Sequence, residues 1–275
     1  MFLHDIYNTR QMNLPITFKI IMSKINVTAV SYLNTKPFLY GIFQHDVQHD
    51  INMSLDIPSV CAAKLVSGEA DLGLVPVAAI PELTSPHIIS DYCIGAVGKV
   101  KTVCIYSDVP IEHVKSLFLD YHSKTSVALV KVLLEKHWQL SPIFLETKEG
   151  YIENIGGTTA GLVIGDRTIG LSERFKYIYD LGEIWANYTE GLPFVFAAWV
   201  SNKKLPDGFI KKFNDALRVG LEHIPQLIYI LPTQYFAFDL KEYFTENISY
   251  TLDNPKKKAL QRFLTEIENP ISINI

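Results

Sequence analysis

Ile25-Asn26-Val27-Thr28-Ala29-Val30-Ser31-Tyr32-Leu33-Asn34-Thr35-Lys36-Pro37 is the stretch that decides the class of the fold. Ile25–Val30 reads as a short apolar strand. It passes through a polar turn into a helix predicted over Asn34–Phe43, with Pro37 tolerated in the first turn because an N–H there has no helical partner to lose. The alternation continues downstream. Met53–Ile57 reads as a strand, Pro58–Ser67 as a helix stopped at Gly68, and Asp71–Val77 as a strand with little polarity, as expected when both faces are covered. Strand, helix, strand, helix, strand at this spacing is a parallel α/β unit.

A second set begins near Val100. Thr102–Tyr106 reads as a strand, Pro110–Ser116 as a helix, and Leu117–Asp120 as a strand running into the turn Tyr121-His122-Ser123-Lys124. A helix follows, with Val127, Val130, Leu134 and Trp138 on one face. Ile143–Glu146, Gly161–Ile164 and Phe194–Val200 read as strands. The rest is helical in pattern: Asp207–Ile224, Gln234–Tyr243 and Pro255–Ile267. Two architectures fit: one doubly wound sheet, or two lobes with the chain crossing near Gly98–Lys101 and returning near Gly191–Phe194. Glycine at both crossings favours two lobes, because hinges sit at a few element-terminal residues. That division assigns 24–99 plus 196–275 to one lobe, 100–195 to the other, and 1–23 to an extension.

Composition narrows the function. Of 275 residues, 48% are hydrophobic and 20% charged, enough for substantial cores. The formal net charge of −4 offers no global basic field for nucleic acid or an acidic membrane, so any anion site must be built locally. Cys61, Cys93 and Cys104 form no pairing pattern, which fits a reducing compartment and three small buried hydrophobes. No apolar run reaches the ~18 residues a membrane-spanning helix needs. Asp5 and Arg10 make the opening stretch unlike a signal peptide, so a cytoplasmic location is expected. Met22 reads as the natural start, with the preceding residues either a frayed extension or an ordered arm. Lys256-Lys257-Lys258 reads as a solvated helix face.

Three turns carry candidate chemistry. Ser31–Pro37 and Ser123-Lys124-Thr125-Ser126 each end a strand and open a helix, where free N–H groups attract carboxylates. Each also suits plain N-capping. Together they suit a small molecule bearing two carboxylates, with Lys36 and Lys124 either adding charge or facing water. Val163-Ile164-Gly165-Asp166-Arg167 ends a strand at a cleft edge; Asp166 reads as a base, a helix cap or a partner for arginine. In a fourth segment, Gly191-Leu192-Pro193-Phe194, Phe194 either stacks on a flat ring or belongs to the core. His45 and His49 share a helical face without a third ligand, so no metal site is assigned. GxSxG, GxxxxGK[ST], HExxH and a complete GxGxxG are absent, so neither a nucleotide cofactor nor a serine hydrolase is supported.

Val30–Pro37 closely resembles the opening signature of the chorismate dehydratase family of the alternative menaquinone pathway. Asp71-Leu72-Gly73-Leu74-Val75-Pro76-Val77 resembles it too, as do Cys93-Ile94-Gly95-Ala96, Val103–Ser107, Ser123–Ser126, Ile164-Gly165-Asp166 and Gly191–Ala197, in the family's order. The resemblance covers roughly Ile25 to Trp199. It implies a two-lobed type II periplasmic-binding-protein-like fold with a helical C-terminal segment. It further implies dehydration of chorismate to 3-[(1-carboxyvinyl)oxy]benzoate with no metal or organic cofactor. By the same resemblance Asn34 and Thr102 line the catalytic site. Thr102 stands where the family commonly has Ser, and Lys124 where it has Arg. Ser31, Tyr32, Lys36, Ser123, Thr125, Ser126, Gly165, Asp166 and Phe194 are the substrate-binding candidates. No nucleic-acid or membrane partner is expected, and the oligomeric state is left open. A non-catalytic carboxylate-binding protein of this fold and the sister dihydroxynaphthoate synthase are the competing readings.

Overall fold

The computed structural model describes residues 24–232 and 238–267. The extension expected over 1–23 and the first part of the helix expected over Gln234–Tyr243 lie outside the described residues. The strands are β1 (Ile25–Val30), β2 (Ile51–Asp56), β3 (Leu72–Pro76), β4 (His87–Ala96), β5 (Val103–Ser107), β6 (Ser116–Leu119), β7 (Ile143–Glu146), β8 (Thr159–Ile164), β9 (Tyr177–Asp180), β10 (Phe194–Ser201) and β11 (Ser249–Thr251). The helices are α1 (Lys36–Gln44), α2 (Pro58–Ser67), α3 (Lys124–Val132), α4 (Leu181–Tyr188), α5 (Asp207–Glu222), α6 (Ile224–Ile230), α7 (Leu240–Glu242) and α8 (Asn254–Glu266).

Among the described residues the strands form two sheets, in the orders β11-β4-β10-β3-β1-β2 and β7-β6-β8-β5-β9. A single doubly wound sheet is therefore excluded. In the first sheet β1 runs parallel to β2 and β3, while β10 lies antiparallel between β3 and β4. All of β3 and all of β10 are buried, which accounts for their apolar, non-alternating sequences. Trp199 of β10 meets Phe38 of α1 and Phe213 of α5 edge to face, tying the sheet to the helices above it. Helices α1 and α5 touch backbone to backbone: a Cβ placed at Gly41 would sit 2.0 Å from the Ala216 carbonyl oxygen, and one at Gly220 1.9 Å from that of Pro37. This contact anchors α1 directly behind the Ser31–Pro37 turn.

Several expectations are corrected. The helix expected over Pro110–Ser116 is one 3₁₀ turn, Ile111–His113, because Ser116 is drawn into β6 by pairing with Ile143 and Thr159. The ten-residue strand β4 was not foreseen. Register shifts against β10 break its two-residue alternation, and Asp91 interrupts its apolar run. The helix of Val127, Val130, Leu134 and Trp138 begins as α3 and widens into a π-helical turn over Leu133–Trp138. In the Lys256–Lys258 run, Lys256 is buried and paired with Asp253 at 3.1 Å, so the run is not a uniformly solvated face. Burial pushes the Cys61 thiol up to about 11 and the Cys93 thiol up to about 12, so both stay protonated and act as packing groups.

Candidate functional site

A narrow cleft runs between the two sheets, with a cavity volume of about 50 Å³. Its walls come from both sides: Val30, Tyr32, Asn34 and Thr35 after β1, Pro58 at the start of α2, Pro76 at the end of β3, and Ile94, Phe196 and Ala197 from β4 and β10. Facing them are Val100, Thr102 and Val103 leading into β5, Ser123 and Ser126 at the start of α3, and Ile164 and Gly165 closing β8. Most of the lining is apolar, with a few hydroxyl and amide groups, as small-molecule sites generally are.

Asn34 lies in the 3₁₀ turn Leu33–Thr35 that precedes α1. Its side-chain oxygen accepts from Thr35 Oγ1 at 3.2 Å, and its backbone carbonyl accepts from the Tyr250 hydroxyl at 2.9 Å. Thr102 is 1% exposed. Its carbonyl accepts the Gly165 N–H at 2.8 Å, which fixes the end of β8, and its hydroxyl lies 2.9 Å from the Tyr243 hydroxyl. Burial pushes the Tyr243 phenol well above its ordinary value, while the Thr102 hydroxyl and the Asn34 side chain pull it the other way.

Ser123 caps α3, its hydroxyl accepting the Ser126 N–H at 3.2 Å and the Ser126 hydroxyl at 3.2 Å. Capping and cleft lining thus coincide at both serines. The remaining α3 amides near the start lack helical acceptors and carry the positive end of the helix dipole. Gly165 has φ +65, and a Cβ there would lie 2.6 Å from the Tyr32 ring, so glycine is needed both for the backbone and for the ring's approach.

Other candidates fall elsewhere. Ser31 is exposed, and its N–H bonds the Asp56 carbonyl. Lys36 opens α1 without reaching the cleft wall. Thr125 is fully buried and accepts the Ala78 N–H at 3.1 Å, joining α3 to the segment after β3. Lys124 pairs with Glu82 at 2.7 Å, both side chains over two-fifths exposed. Phe194 packs against Trp185, Phe196 and Phe263 in the core, and Phe196 instead presents a ring to the cleft. Asp166 does not cap its own turn. Its carboxylate accepts the Leu33 N–H at 2.9 and 3.1 Å, from the opposite side of the cleft.

Behind Tyr32 lies a polar network that the sequence did not disclose. Asp120 is completely buried and accepts from Arg167 Nη2 at 2.6 and 2.8 Å, Tyr151 Oη at 3.0 Å, and the N–H groups of Ile164 and His122 at 2.9 Å. This is the satisfied form in which a buried charge is tolerated. The Tyr32 hydroxyl is hydrogen-bonded to His122 Nδ1. Burial, reinforced by Arg167, holds the His122 imidazole below its usual range, and burial drives the Tyr32 phenol far upward. Both are neutral near pH 7, and one proton lies between them. The polar turn before α3, His122 included, was legible, but nothing local in the sequence marked Tyr151 or Arg167 as partners of the Asp120 beside it.

Among the described residues no group of three or more His, Cys, Asp or Glu is placed to hold a metal ion, and no helix is long and apolar enough to cross a membrane. A curated relative, the chorismate dehydratase of Thermus thermophilus, is 27% identical over 237 residues, covering 78% of this chain and 86% of the relative. A solved protein of Archaeoglobus fulgidus superposes with TM-score 0.68 at 15% identity, covering 89% of this chain and 97% of the other. A Candida albicans protein described as having the generic periplasmic binding protein fold matches at TM-score 0.61 and 13% identity, covering 91% and 96%. The alkanesulfonate-binding protein of Xanthomonas axonopodis pv. citri matches at 0.59 and 11%, covering 91% and 95%. The fold is thus the two-lobed one of periplasmic binding proteins, each lobe being one sheet with its covering helices. Residues 25–269 match the family described as menaquinone biosynthesis, in agreement with the motifs at 30–37 and 71–77, and the chain belongs to that family.

Proposed function

We propose that the cleft removes water from chorismate to give 3-[(1-carboxyvinyl)oxy]benzoate. The observation that carries this reading is the convergence of Asn34 and Thr102, from opposite lobes, on one largely apolar cleft that also receives the start of α3. The 27%-identical relative named chorismate dehydratase supports the same substrate.

In the reaction a proton leaves the ether-bearing ring carbon, the hydroxyl leaves the neighbouring carbon, and the electron pair of the C–H bond completes the aromatic ring. Aromatisation supplies the driving force. The protein's task is to hold the dianion in one orientation, exclude water and stabilise charge on the departing oxygen. The α3 amides and the Ser123 and Ser126 hydroxyls suit a carboxylate. The Asn34 amide and the Thr102 hydroxyl suit the leaving hydroxyl, and the Phe196 ring and Ile94 suit the ring face. Asp166 is a weak candidate for the base, since the Leu33 amide already bonds both its oxygens. A substrate carboxylate or a water is the better proton acceptor.

Incubating purified protein with chorismate and following absorbance and mass tests the reading. A product lighter by one water, with benzoate absorbance, is expected. Chorismate retained unchanged on the protein would mark a non-catalytic binder, and chorismate ignored would point to the sister synthase.

A further inference from the structure

Tyr243 follows α7, in a part of the chain where no motif resembles the family signature, yet its hydroxyl reaches the cleft wall from behind. The residue is fully buried, and its hydroxyl lies 2.9 Å from Thr102 Oγ1. The proton count in this pair is constrained. The Tyr243 hydroxyl and the Thr102 hydroxyl share one hydrogen bond, in which only one of the two protons can lie. A fully buried phenol that stays protonated places that proton on the acceptor within reach, Thr102 Oγ1. The proton of Thr102 then has two destinations: the Val100 carbonyl, at a long 3.5 Å, or a group in the cleft that Thr102 lines.

Building on the proposed dehydration, we infer that Tyr243 is a positioning residue that turns the Thr102 hydroxyl proton into the cleft, making Thr102 a donor to the departing hydroxyl. The Tyr243–Thr102 pair joins the C-terminal segment after α7 to the start of β5, so it is complete only when the two are together. Hydrogen bonds in such buried chains polarise one another, which strengthens the terminal donor. Tyr243 touches no substrate atom; its effect passes through Thr102.

Tyr243→Phe keeps the ring and removes only the hydroxyl. The expected result is a fall in kcat of about tenfold or more with KM within about twofold, since the lost interaction develops in the transition state. Thr102→Val should lower kcat at least as much, and the double variant should be no slower than Thr102→Val alone. Wild-type kcat in Tyr243→Phe, or losses that multiply in the double variant, would overturn the inference; a merely structural role would lower thermal stability without this coupling. A second readout does not depend on turnover. The slowly exchanging Tyr243 hydroxyl proton should appear in low-temperature NMR and shift in Thr102→Val, and an unmoved resonance would overturn the inference. If the wild type leaves chorismate unchanged, the proposed function fails on its own, and the resonance still decides whether the hydroxyl pair is coupled.

Discussion

The Asp166 carboxylate accepts the backbone N–H of Leu33 at 2.9 Å, so a residue after β8 caps the turn that presents Asn34 from the other lobe. The Ser59 N–H to His122 carbonyl bond, the Ala78 N–H to Thr125 bond and the Lys124–Glu82 pair also cross the cleft. These contacts hold the lobes together around the site. Hydrogen bonds to charged groups are worth about 1.5–3 kcal/mol, more than the exposed Lys124–Glu82 pair, which is worth at most about 1 kcal/mol.

Asp166→Ala should therefore loosen the closed arrangement while Lys124→Ala should not. Small-angle scattering checks this. The Asp166 variant should show a larger radius of gyration than wild type, and saturating chorismate should narrow the difference by drawing the lobes together.

Asp120 is the best-satisfied buried charge near the site. Removing it with Asp120→Ala strands the Arg167 guanidinium and orphans the backbone amides of Ile164 and His122, while the Tyr151 hydroxyl keeps the Leu162 carbonyl as its acceptor. Breaking a buried pair from one side costs about 3–5 kcal/mol, and denaturant titration should find a loss of that size. Asp120→Asn keeps part of the hydrogen bonding and should cost less.

The His122 imidazole is held neutral by burial, so its folded pKa lies below its unfolded one. Such a group contributes stability that is fully present above its unfolded pKa, about 6.5, and lost as pH falls through the folded value. Wild type should lose thermal stability over this range relative to His122→Gln. Parallel melting profiles of the two proteins from pH 7 downward would contradict the assignment.

Gly220→Ala places a methyl against the Pro37 carbonyl at 1.9 Å, where the neighbour is backbone and cannot rotate away. Overpacking of this kind costs about 1–3 kcal/mol or more. Because the shift falls on α1, which follows the Asn34 turn, activity should drop along with the melting temperature, whereas Gly208→Ala, with open space around it in α5, should leave activity unchanged and not lower the melting temperature.

Much of the fold was readable because its signals are local. The strand Ile25–Val30, the Pro58–Gly68 helix and the apolar run of β10 depend on periodicity and on proline and glycine at element ends. β4 escaped because bulges disturb its alternation, and the Pro110–Ser116 segment misled because sheet pairing at Ser116 overrode helical pattern. At the site, Asn34, Thr102, Tyr32, Ser123, Ser126 and Gly165 were marked by turn position or family motif, and they line the cleft. Phe194 was read one side-chain alternation away from Phe196: both are β10 residues, but only the latter faces the cavity. Tyr243 and Arg167 meet their partners across 141 and 47 residues of chain, and no local pattern encodes such pairings.

The steady-state rate of chorismate consumption by wild type and Asn34→Ala, side by side, bears most directly on the central claim. The account predicts that wild type forms the benzoate product and that the variant, still folded, is slower by about 100-fold or more, the typical loss when one preorganised donor is removed. Equal rates in the two proteins would contradict it.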